Sequence, residues 1–223
     1  MSLIDAFHNL AKINKIDLPK KANFNPHTIG LISRNLTLKD MIALSATDTN
    51  MRNVMMPIID QKRQELEELI EWLSNLPNPQ NYTIEQLDQL KIMNVEENQL
   101  TSIPYLNLPN LLLLRLSHNQ LTGLSNLNLP NLQELYISNN KLTELLNLNL
   151  PNLQILNLYG NKLTKISNLN FPKLRIFNLE NNKLTSFPNL NLPNLRILNL
   201  DNNPLPENEK SRLKSIYGDK YLI

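Results

Sequence analysis

Residues 153–173 read LQILNLYGNKLTKISNLNFPK. The stretch before them, 132–152, is LQELYISNNKLTELLNLNLPN, and the stretch after, 174–194, is LRIFNLENNKLTSFPNLNLPN. Working outward, copies start at 90, 111, 132, 153, 174 and 195, a period of 21 residues held six times without slippage. A repeat of this length is the mark of a solenoid, in which each copy is one coil and buries its apolar face against the next.

Within a copy, the opening LxxLxL predicts a short strand. Alternation then turns the fourth and sixth places to one side, as with Leu135 and Ile137 or Leu156 and Leu158. The ninth place is Asn in all six copies: Asn98, Asn119, Asn140, Asn161, Asn182 and Asn203. An amide both donates and accepts, so a stacked ladder of them can satisfy backbone groups left open where the chain leaves the strand. The return segment NLNLP carries Pro109, Pro130, Pro151, Pro172 and Pro193 at one phase. Proline bars a helix interior and extends its predecessor, so the back of each coil is predicted to be extended, with Leu106, Leu108, Leu127, Leu129, Leu148 and Leu150 packed inward.

The pattern LxxLxLxxNxL resembles the leucine-rich repeat family; in the first copy Met93 and Val95 stand in place of Leu. That resemblance implies an α/β solenoid, a right-handed coil with a parallel sheet on its concave face, used for protein recognition. The solenoid is expected over 81–206. Its ends need caps. Thr83 followed by Gln86 forms a capping box at one end. At the other, 207–223 reads as a cap whose short helix opens near Pro206, turns Leu213, Ile216 and Tyr217 inward and stops at Gly218. Tyr221, Leu222 and Ile223 are expected to cover the last coil.

With the fourth and sixth places inward, the third, fifth and seventh face outward on the concave side. The third-place row is Ile92, Leu113, Glu134, Ile155, Ile176 and Ile197, five aliphatics in six. The fifth place includes Arg115 and Tyr136, and the seventh Ser117 and Tyr159. An exposed apolar row has three readings: a docking surface, β-propensity alone, or self-association. Tyr136 and Tyr159 beside it favour docking of a target protein, because tyrosine is enriched at interface hot spots.

Residues 1–80 lack the repeat and read as an α-helical N-terminal domain. Thr37 is placed to cap LKDMIALS, Asp48 to Asn50 read as a turn, and Pro57 is placed to open a long helix whose stripe is Ile59, Leu66, Ile70 and Leu73. The prolines of LPNPQNY make 76–82 a linker. Around 24–63 the segment resembles an F-box, the helical motif that holds the Skp subunit of cullin-type ubiquitin ligases. Ile29, Ile32, Leu36 and Leu44 carry the match, Phe24 and Pro26 stand near the family's opening Leu-Pro, and Met51 where it often has Trp. The resemblance implies an adaptor, one end on the ligase and the other on a target, an arrangement that bacterial effectors also use in a host cytosol. The alternative is a plain binding module whose N-terminal helices only cap the solenoid.

Composition narrows the rest. A net charge of +2 concentrates no basic face for nucleic acid. Without cysteine there is no disulfide, zinc-thiolate site or thiol nucleophile, which suits a cytoplasmic location. No apolar run approaches the ~20 residues needed to cross a bilayer. His8, His27 and His118 have no metal-ligand spacing, and no phosphate-cradling glycine loop is present. The chain is therefore expected to bind protein without a catalytic residue, metal or cofactor.

Overall fold

Three-residue strands recur at the third to fifth places of all six copies in the computed structural model, which describes residues 36–45, 49–124 and 127–222. They are β1 (Ile92–Asn94), β3 (Leu113–Arg115), β5 (Glu134–Tyr136), β7 (Ile155–Asn157), β9 (Ile176–Asn178) and β10 (Ile197–Asn199). All pair in parallel, in chain order, and β11 (Tyr221–Leu222) adds a seventh strand beside β10. The return segments form two small parallel pairs, β2 (Leu106–Asn107) with β4 (Leu127–Asn128) and β6 (Glu144–Leu146) with β8 (Lys165–Ser167). Extended backs follow from the phased prolines, as the sequence predicts.

The core sits between the two sides. Leu153, Leu156, Leu158 and Leu163 of one coil are all fully buried, and the same four places are filled in its neighbours. Each fully buried leucine contributes about 2 kcal/mol of apolar transfer. Leu127 is only half-buried, unlike its expected partners on the back.

The ninth-place amides make the ladder. Asn140 Oδ1 accepts from the Leu121 amide one coil back, while its Nδ2 donates to Leu116 O of that coil and Ile137 O of its own. Asn161, Asn182 and Asn203 repeat the pattern, and Asn119 accepts from both Asn98 and Leu100. Asn98 has no earlier coil, and its Oδ1 accepts instead from the Asn78 amide. The proline-containing segment expected as a linker is thus tied to the first coil, because Asn98 otherwise lacks a donor. Immediately before each of these asparagines the backbone turns left-handed: Glu97, His118, Asn139, Gly160, Asn181 and Asn202 all have φ between 54° and 67°. Asn and Gly tolerate that turn best.

Ahead of the coils lie α1 (Leu38–Ser45), α2 (Thr49–Ser74) and α3 (Ile84–Asp88). Thr37 caps α1, its Oγ1 accepting from the Asp40 amide while Asp40 Oδ2 accepts from the Thr37 amide. The Thr83–Gln86 capping box opens α3. Pro57 does not open its helix: α2 begins at Thr49 and carries the proline about two turns inside. Burial of Met55, Ile59, Leu66, Leu69 and Leu73 along one stripe offsets the hydrogen bond that proline removes. The same correction removes the expected turn at Asn50, which is helical.

The helices share one apolar core with the first coils. Polar ties join them as well. Leu38 N donates to Asp88 Oδ1, Lys62 Nζ donates to the Asn107 carbonyl, and Asn107 Nδ2 donates to Glu65 Oε2. At the far end α4 (Glu207–Tyr217) packs Leu213 into the core and stops at Gly218, φ 57°. Ile216, expected inward, is 52% exposed. Three residues on from Leu213 it rotates past the apolar stripe, and Tyr217, one turn on, takes the inward place beside Phe187.

Candidate concave interface

Strand pairing brings the third-place residues into one line. Ile92 is paired with Leu113, Leu113 with Glu134, Glu134 with Ile155, Ile155 with Ile176, and Ile176 with Ile197. Ile92 is 57% exposed and Ile197 39%, with the four between them half-buried. Parallel pairing in register therefore turns a sequence phase into a surface row. Ser117, expected on this face, is buried, its carbonyl gathered into the amide ladder by Asn119 Nδ2.

The fifth-place row holds a feature the sequence reading missed. Asn94, Asn157, Asn178 and Asn199 each accept, through Oδ1, from the backbone N–H two residues on. These are Asx turns, recognisable in principle from Asn at a strand end. Two adjacent coils do not use this device and carry Arg115 and Tyr136. The Arg115 guanidinium lies 5.9 Å above the Tyr136 ring, and the Tyr136 hydroxyl donates to Glu134 Oε2 at 2.9 Å. Burial first, then the Glu134 carboxylate, push the Tyr136 phenol upward, against a smaller opposing pull from Arg115. Coils two and three thus place a basic, an aromatic and an acidic group side by side. Tyr159 is half-buried at the seventh place of coil four.

The edges of the face carry opposite charge in the last two coils. Arg175 and Arg196, at the second place, are exposed on the side where the strands begin. Glu180 and Asp201, at the seventh, stand where the strands end. Asn199 Nδ2 donates to Glu180 Oε2, whereas Asp201 Oδ1 is shielded from solvent with no hydrogen-bond partner.

At the N-terminal end, Leu36 and Leu44 are 1% exposed and pack with Met41 inside the helical cluster. Phe24, Pro26, Ile29 and Ile32 lie outside the described residues. A groove of about 270 Å³ runs between α1 and α3, lined by Leu38, Ile42 and Ile84 with Arg63 and Asp88 among its polar edges. Among the described residues no His, Asp and Glu cluster is arranged to hold a metal ion, and no helix is long and apolar enough to cross a membrane.

Comparison with known proteins supports the repeat reading. The family model described as leucine-rich repeats, in two copies, matches residues 109–150 and 130–171. None of the curated proteins matches the chain. A solved leucine-rich repeat protein of Leptospira interrogans aligns at 35% identity with a TM-score of 0.54, over 67% of this chain and 41% of that one. YopM of Yersinia enterocolitica aligns at 26% identity and a TM-score of 0.45, over 64% of this chain and 38% of that one. The leucine-rich repeat domain of a Shigella effector aligns at 21% identity and a TM-score of 0.31, over 73% of this chain and 85% of that one. The chain spans about two fifths of the length of the Leptospira and Yersinia proteins.

Proposed function

We propose that this leucine-rich repeat solenoid is a protein-interaction module that holds a target protein against its concave sheet. The observation that carries the reading is the in-register row from coil one to coil six, half-exposed and aliphatic at five of its six places, flanked by Arg115, Tyr136 and Tyr159. Exposed apolar rows of this extent mark interaction sites. The module acts by binding, without catalysis. Its test is the Ile155→Asp, Ile176→Asp pair on the full chain, read by capture of the target from a lysate and by circular dichroism. Loss of capture with an unchanged spectrum supports the reading; unchanged capture removes it.

The adaptor form of this reading adds a second contact, in which the N-terminal helices dock the Skp subunit of a cullin ligase, as a bacterial effector would in a host cytosol. It is supported by the F-box resemblance and by Ile42, which is 44% exposed on α1 beside the groove. Leu36 and Leu44 then serve as packing behind that face. Sizing-column co-elution of the full chain with a Skp subunit tests it, using Ile42→Asp because Leu36→Asp would unfold the module. A complex lost on Ile42→Asp supports the adaptor; no complex at tens of micromolar leaves the plain module.

A further inference from the structure

Building on the concave-face reading, we infer that the surface fits an amphipathic α-helix of the target, laid along the solenoid axis, with one basic side chain interrupting its apolar stripe. Spacing is the first argument. Neighbouring strands lie about 4.8 Å apart, so the third-place row presents one side chain per ~4.8 Å. A helix returns the same face every turn, about 5.4 Å, whereas an extended peptide returns it every ~6.7 Å. Across the five strand intervals from Ile92 to Ile197, a helix drifts from the row by only about 3 Å, and an extended peptide by about 9 Å. The row is roughly 24 Å long, which is between four and five helical turns.

The interruption comes from Glu134, the one charged residue in the row. Its carboxylate holds the Tyr136 hydroxyl, and Arg115 lies over that ring, so the two coils present a fixed acidic point between Leu113 and Ile155. A helix with apolar residues on the turns facing Leu113 and Ile155 meets Glu134 with the turn between them, where a Lys or Arg satisfies it. An apolar residue there would strand the carboxylate against hydrocarbon.

The flanks give the helix a direction of roll. Arg175 and Arg196 line the side where the strands begin, and Glu180 and Asp201 the side where they end. The complementary helix carries acidic residues along one flank and basic residues along the other. Between the two rails Asn157 and Asn178, paired in register, have committed Oδ1 to the backbone and leave Nδ2 to donate to polar side chains of the helix.

The test is a display selection on the full chain with two libraries of 20-residue peptides. One is held helical by an alanine-rich background, and the other carries a proline every fourth residue to hold it extended. Enriched peptides are then measured by fluorescence anisotropy against the wild-type chain, Glu134→Lys, the Arg175→Glu, Arg196→Glu pair, and the Ile155→Asp, Ile176→Asp pair. The expected result is enrichment from the helical library of sequences with an i, i+4, i+7 apolar stripe broken by one Lys or Arg. Glu134→Lys weakens them about tenfold, and exchanging that peptide Lys for Glu restores binding. Arg175 and Arg196 are exposed and Glu134 is half-exposed on the same face, outside the apolar core, so these variants keep the fold.

Enrichment from the proline library alone overturns the helix while leaving the concave face as the binding surface. Helical peptides that ignore Glu134→Lys overturn the basic interruption. Peptides that bind the Ile155→Asp, Ile176→Asp pair as tightly as wild type overturn the concave face itself. No enrichment from either library overturns the helix. A dimer of the chain that Glu134→Lys dissociates replaces the helix with a second copy as occupant.

Discussion

Lys62, midway along α2, donates its ammonium to the backbone carbonyl of Asn107 in the first return strand, from a position only 2% exposed. The bond fixes the helices to the solenoid. Burial lowers the lysine pKa to about 8, even though the nearby Asp88 and Glu65 carboxylates pull the other way. In the unfolded chain the same group keeps its ordinary value of 10.5. Between the two values the unfolded chain binds the extra proton, so stability rises as pH climbs from about 8 towards 10.5. Integrated over that window the gain is on the order of 3 kcal/mol. Urea unfolding at pH 7 and pH 9.5 measures the rise, and Lys62→Met should flatten it.

Asn140→Ala should destabilise the chain by about 1–3 kcal/mol. It leaves the Leu121 amide buried without its acceptor, a cost of about 1–3 kcal/mol, and takes one of two donors from the Leu116 and Ile137 carbonyls, which keep Asn119 Nδ2 and Asn161 Nδ2. Asn140→Asp keeps the acceptor and loses both donors, so it should be no better. Equilibrium urea unfolding with unchanged m-value is the check.

The left-handed turn before each ladder asparagine predicts effects of opposite sign at two of the coils. Gly160→Ala should cost about 1–2 kcal/mol, since an alanine pays for the positive φ and its Cβ would stand 2.5 Å from Asn139 Oδ1. Glu97→Asn should gain about 0.5 kcal/mol, replacing a residue ill suited to φ 56° by one that tolerates it. Thermal melts resolve both directions.

Phe171, Phe177, Phe187 and Tyr217 form a chain of edge contacts, with ring centroids 6.4, 6.0 and 6.1 Å apart, that locks α4 onto the last coils. Phe177→Ala should cost about 3–5 kcal/mol. Ile216→Asp, on the exposed side of the same helix, should shift stability by less than about 0.5 kcal/mol. Tryptic cleavage after Lys214 should accelerate in the first variant alone.

The Tyr136 phenol, raised by burial and by Glu134, should ionise above the ordinary tyrosine value of 10.0. Tyr217 is also raised, by burial. Absorbance titration near 295 nm should therefore show both of these titrating late, and Glu134→Gln should bring Tyr136 alone down. If neither moves, the hydroxyl contact with Glu134 does not persist in solution.

Much of this molecule is legible without coordinates because a repeat states its own geometry. A 21-residue period, an apolar residue at the first, fourth, sixth and eleventh places and a proline late in the return leave one packing solution for each coil. Thr37, Thr83 and Gln86 announce helix starts by the donors they can satisfy locally. What a single coil cannot announce is anything that depends on its neighbour. The exposed Ile216 and the helical residues ahead of Pro57 each follow from burial supplied by another element. Lys62 shows this most clearly. In the sequence it is one more surface lysine on an amphipathic helix, and only packing α2 against the first return strand removes its water and gives it a carbonyl to hold. Local hydrogen bonding and hydrophobic phase belong to the sequence; burial, register between coils and the placing of Glu134 among isoleucines belong to the tertiary structure, because they are properties of pairs of segments far apart in the chain.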